Sequence, residues 1–182
     1  MVLQYVRKYK SVLRFILTFL GTYLLLTLGY LWYLKRDFVP EHYPDYLTQK
    51  VALHSKWVIQ ALGFNSKIEP HAAEASVKLF VEDMFLVRVV EGCNGASVVI
   101  LFIAFVLAFA DKLKSTFIFL VVGSIAIYII NVLRIALIAI AVYKLPGWAE
   151  FLHTIAFPAI IYGFIFLLWI FWVKRLKRKN HA

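Results

Sequence analysis

Four stretches of the chain are almost free of charge: residues 12–34, 95–110, 115–143 and 151–173. Charged and polar positions gather between these blocks and at the two ends. A helix needs about 20 apolar residues to cross roughly 30 Å of hydrocarbon, so each block is a candidate membrane span. The second block reaches that length if its helix begins near Gly92. The pattern then predicts spans over about 12–34, 92–110, 115–134 with an extension to 143, and 151–173.

The segment 35–91 has a different texture. Pro40 and Pro44 break Asp37–Pro44 into a surface turn. From Tyr46 to Leu62, Leu47, Val51, Trp57, Val58, Ala61 and Leu62 gather toward one side, with Gln49, Lys50 and Lys56 on the other. This predicts an amphipathic helix lying in the membrane interface. Ser76–Val81 and Phe85–Val90 alternate or run β-branched around Glu82-Asp83, the signal of a β-hairpin. The expected fold is an all-α membrane protein with about four transmembrane helices and a small external insertion, amphipathic helix plus hairpin, over 35–91. Residues 1–182 read as one membrane domain.

Composition agrees: 63% of the 182 residues are hydrophobic and the mean hydropathy is +0.80. A net charge of +10 could point to nucleic acid, but its placement excludes that reading. Arg7, Lys8, Lys10 and Arg14 border the first span, Lys112 and Lys114 lie between the second and third, and Lys174 to Lys179 follow the last. With four spans all three clusters share one side, which the positive-inside rule makes cytoplasmic. Both termini are then inside, and 35–91 and the loop near Lys144–Glu150 are outside. The first block is too long for a signal-peptide core and is followed by Lys35-Arg36-Asp37 instead of a small-residue cleavage site, so it reads as a retained anchor. The single cysteine allows neither an internal disulfide nor a cysteine zinc site. His42, His54 and His71 lack metal-ligand spacing, and no cofactor is expected.

Three residues stand out at one depth near the outer face. Cys93 opens the second span within Glu91-Gly92-Cys93-Asn94-Gly95. Arg134 sits about 28 Å along a helix counted from Ser115 at 1.5 Å per residue. His153 falls in the first turn of the fourth span. Each has a plain alternative: an apolar filler, an arginine snorkelling to the interface, an interfacial histidine. Together they suit nucleophilic acyl transfer. A cysteine attacks as thiolate, favoured at a helix N-terminus and beside cations. His153 can take the thiol proton and return it to the leaving amine. Arg134 can favour the thiolate or hold the oxyanion of a tetrahedral intermediate. Asn131, three residues before Arg134 on the same helix face, can hold the guanidinium or a substrate backbone, and Tyr128 continues that face. Asn94 lies beside the nucleophile. Glu91 and Glu150 are external acids able to orient a histidine or pair with Arg134, and Glu91 is the alternative proton acceptor to His153.

At these residues the chain resembles the exosortase/archaeosortase family of membrane cysteine transpeptidases. Glu91-Gly92-Cys93-Asn94-Gly95, Asn131-Val132-Leu133-Arg134 and Phe151-Leu152-His153-Thr154 follow its order and spacing over roughly 76–173, and the short length is similar to the exosortase F type. The resemblance implies an enzyme of the prokaryotic plasma membrane with its active site at the outer face. It would act on membrane-bound proteins carrying a C-terminal sorting signal: a short motif, a hydrophobic helix and a basic tail. Cys93 would form a thioester, which passes to water or to an amine acceptor on a lipid or the cell envelope. The competing reading is a non-enzymatic membrane assembly subunit whose polar residues are helix–helix glue. A small transporter ranks last, because the inner halves of the spans are apolar.

Overall fold

A computed structural model describes residues 9–36, 43–110 and 112–180, with side chains as far as 176 at the C-terminal end. Arg7, Lys8 and His42, the side chains of Lys177 to Lys179, and all but the last two positions of the turn expected over Asp37–Pro44 lie outside the described residues. The chain is mostly helical. In order it forms α1 (Lys10–Leu34), α2 (Tyr46–Ala61), β1 (Ser66–Pro70), β2 (Ser76–Val81), β3 (Met84–Val90), α3 (Ala96–Ala108), α4 (Leu113–Lys144) and α5 (Phe157–Asn180). Among the described residues, three helical segments are long and apolar enough to cross a bilayer: α1, α4 and the continuous stretch Pro146–Leu176, which includes most of α5.

The second apolar block forms a shorter helix than expected. Its α-helix starts at Ala96, not at Gly92 or Cys93. Glu91–Cys93 is a 3₁₀ turn, and Gly95 adopts φ +84°, a left-handed backbone that closes one turn before the next helix begins. The Asn94 side chain caps the new start, its Oδ1 accepting from the Ala96 N–H at 2.9 Å. At 1.5 Å per residue the 13 residues of α3 rise about 20 Å, less than the hydrocarbon thickness. The third block, by contrast, runs as one 32-residue helix to Lys144.

The insertion holds a three-stranded antiparallel sheet in the order β1-β2-β3, in place of a two-stranded hairpin. β2 and β3 match the expected strands, with a register irregularity at Leu79/Phe80. The extra strand, β1, pairs Ser66 with Val81 and Pro70 with Val77. Its sequence, Ser-Lys-Ile-Glu-Pro, hides it: it is an edge strand with one partly buried apolar residue and a proline at its end, where no ladder donor is required. A third strand also solves the marginal stability of a lone hairpin.

Helix α2 is capped by Asp45, whose Oδ1 accepts from the N–H groups of Leu47 and Thr48 at 2.9 and 3.0 Å. Its buried stripe is Thr48, Val51, Ala52, Ser55 and Ile59, the i, i+3, i+4, i+7 pattern of a packed face. Trp57 and Leu62, expected on that face, point outward. The small residues allow close approach to α4, and the Ser55 hydroxyl reaches the Val132 carbonyl at 3.4 Å. One hydrophobic core joins α2 and the sheet to the second half of α4 through Val132, Ile135, Ala136 and Ala139. A second core, with Phe102, Val106, Phe119, Ile127, Ile161, Ile165 and Trp172, holds α3, α4 and α5 together. Trp172 is fully buried against Phe119, while Phe166 and Phe171 are exposed, so the aromatic run of α5 divides between core and surface. Gly123 permits the α3–α4 crossing, because a Cβ there would collide with the Phe102 ring.

Candidate active site

The first core determines where the cysteine lands. β3 packs beside α4, with Val89 in their shared core, and the 3₁₀ turn after Val90 brings Cys93 against the middle of α4. There the Asn131 Nδ2 donates to the Cys93 carbonyl oxygen at 2.9 Å. Asn131 is 1% exposed, and its side-chain oxygen accepts from Arg134 Nη1 at 3.4 Å. One amide thus links the cysteine turn to the guanidinium one helical turn away. Gly95 is required twice: for its left-handed φ, and because a Cβ would lie 3.2 Å from Asn131 Nδ2.

A network of polar side chains grips the turn from the other side. Asn94, 2% exposed, donates from Nδ2 to the Tyr30 hydroxyl at 2.7 Å and to Thr48 Oγ1 at 3.0 Å. The Tyr30 hydroxyl donates in turn to the Glu91 carbonyl at 3.2 Å. Residues from α1, α2 and α4 therefore hold Glu91–Ala96 in one conformation. Tyr30 and Thr48 were not apparent from the sequence. A tyrosine within a run of leucines carries no periodic signal, and Thr48 sits on a face that reads as packing. With both ends of its amide engaged inside the protein, Asn94 acts on the turn itself.

Cys93, Arg134 and His153 line one small cavity together with Val87, Arg88, Val89, Ile135 and Ile138. Its volume is about 20 Å³, room for one water-sized group. Cys93 is partly buried and free. Arg134 is partly buried, and its Nε makes no hydrogen bond. It has no carboxylate partner among the described residues. An arginine so placed is a ready donor set for an anion.

His153 arrives by an irregular route. After Pro146–Trp148 and Ala149–Phe151, the backbone widens into a π-helical turn over Leu152–Ala156 before α5 begins at Phe157. Pro158 explains the placement. It has no N–H to donate back to the preceding turn, so the helix changes pitch ahead of it. The wide turn carries His153, an exposed residue, to the mouth of the cavity.

The remaining expected residues lie elsewhere. Tyr128 is bonded through its hydroxyl to His54 Nδ1 at 2.7 Å. It lines an apolar groove of about 630 Å³ bounded also by Tyr30, Asn94, Gly95 and Val99, which shares no lining residue with the cysteine cavity. Glu91 lies at the start of the 3₁₀ turn and does not line the cysteine cavity. Burial, and then the negative charge of Asp45, push its carboxyl above the usual range. Glu150 and Arg88 join His153 around a second cavity of about 370 Å³. Arg88 is held there by Glu74, at 2.8 and 3.0 Å from its two carboxylate oxygens.

The sequence profile of the transmembrane exosortase family matches residues 5–173, nearly the whole chain. No curated protein and no solved structure matches it.

Proposed function

Because the chain belongs to the transmembrane exosortase family, we propose that it is a membrane cysteine transpeptidase or protease that cleaves the C-terminal sorting signal of exported proteins through a thioester on Cys93. The observation that carries this reading is the single cavity lined by Cys93, Arg134 and His153, which come from three separate elements. In the proposed reaction His153 takes the thiol proton, and Cys93 Sγ attacks the carbonyl carbon at the recognised motif. The developing oxyanion has a water-sized space beside the Arg134 guanidinium, whose unbonded Nε can donate to it. His153 then protonates the leaving amine, and water or an amine acceptor resolves the thioester. Asn131 keeps nucleophile and guanidinium in register.

In this reading the stretch from Gly92 through α3 forms a fourth, shallow span. The termini are cytoplasmic, residues 35–91 are external, and the cavity opens at the outer face. The basic residues at Lys10, Arg14, Lys112, Lys114, Lys174 and Arg175 support that orientation. The alternative, a non-enzymatic assembly subunit, draws on the buried amides of Asn94 and Asn131, which do serve as interhelical glue. It gives no role to an arginine left without a counterion beside a cysteine.

Replacing Cys93 by alanine or serine separates the two. Both variants are expected to accumulate in the membrane at the normal level and to leave a tailed substrate uncleaved. Normal processing by Cys93→Ala would rule out the thioester route.

A further inference from the structure

The cysteine cavity is too small for a peptide or an acceptor, but it does not stand alone. Val87, Arg88, Ile138 and His153 line both it and the 370 Å³ cavity, so the two adjoin across the histidine. The larger one is completed by Leu86, Val142, Ala149, Glu150 and Thr154. Its charges are unevenly matched. Arg88 is neutralised by Glu74, whose carboxyl is held below the usual range by hydrogen bonds from Ser76 and Arg88. Glu150, exposed, has no cationic partner among the described residues. It stands three residues before His153 on the same lead-in to α5.

We propose that this larger cavity is the acceptor subsite, taking a primary amine whose ammonium is bound by Glu150. The assignment rests on the thioester reading above and adds to it the side from which the acceptor approaches. A nucleophile reaching a Cys93 thioester through this cavity passes His153 first, as the proton balance requires. The bound ammonium loses one proton to water at the open mouth. As nitrogen attacks the thioester carbonyl, its second proton goes to His153. The C–N bond forms, the C–S bond breaks, and the departing Cys93 thiolate takes the proton from His153. The products are an amide and the free thiol.

The test needs no knowledge of the natural substrate. The full-length protein in lipid nanodiscs is acylated at Cys93 with an activated N-acetylglycine ester, and loading is followed by intact mass. Release is then timed with glycinamide, which presents an ammonium, and with hydroxylamine, which is uncharged at neutral pH. Glu150→Gln is expected to lower the ratio of the glycinamide rate to the hydroxylamine rate about fivefold, the scale of one exposed ion pair. Glu150→Asp should restore most of it, which a merely structural role for the side chain would not do. An unchanged ratio in Glu150→Gln overturns the subsite and leaves the thioester reading standing. Failure of Cys93 to load in folded protein overturns both.

Discussion

At the scale of single residues the site depends on side chains that are constrained by others. Asn131 is the clearest case: its amide nitrogen fixes the Cys93 carbonyl and its oxygen faces Arg134. Glu91, next to that contact, offers a pH signature. Its carboxyl titrates above the usual range because burial, and then Asp45, disfavour the charged form. A raised carboxyl pKa means that the stabilising contribution is present at low pH and is lost as pH rises through the folded-state value. Ionised Glu91 therefore weakens the fold at neutral pH. Glu91→Gln should raise the thermal unfolding temperature at pH 7.5 and change it little near pH 4, measured by intrinsic fluorescence in detergent micelles. A lower unfolding temperature at pH 7.5 would mean that the carboxylate makes a favourable contact.

At the scale of elements, the distinctive feature is that α1 does more than anchor. None of its residues is buried, yet Tyr30 reaches the cysteine turn with two hydrogen bonds. Tyr30→Phe removes both while keeping the ring. At about 1 kcal/mol per net hydrogen bond, the rate of substrate cleavage should fall several-fold with the membrane level unchanged. An unaffected rate would reduce α1 to a tether. The elements also show where sequence patterns suffice. The long apolar blocks announce α1, α4 and α5, and β-branched alternation announces β2 and β3. What escaped were features governed by partners at a distance. β1 has too little apolar character to register until β2 lies beside it. The helix start at Ala96 depends on a left-handed Gly95 packed on Asn131, and the buried stripe of α2 is chosen by the small residues that fit α4.

At the scale of the whole molecule, leucine, isoleucine, valine, phenylalanine and tryptophan side chains stand exposed along α1, α4 and α5, among them Leu17, Leu25, Phe117, Val122, Phe166 and Leu167. A soluble protein could not carry so continuous an apolar surface without associating, and the bilayer is its solvent. Two cores divide the labour beneath that surface. One welds α3, α4 and α5 into a bundle, and the other fastens the insertion to α4 beside Arg134. The depth of Cys93, Arg134 and His153 was readable from the chain, since a helix advances a fixed distance per residue. Their lateral meeting was not, because it follows from which helices are neighbours and from the wide turn ahead of Pro158. The central claim is that this meeting place is a nucleophile and its supports. The most direct test is to incubate the membrane-embedded protein with a tailed substrate and map covalent adducts by peptide mass spectrometry. An acyl fragment of the substrate on Cys93, released by hydroxylamine, is the predicted result; substrate cleavage with Cys93 unmodified throughout would contradict it.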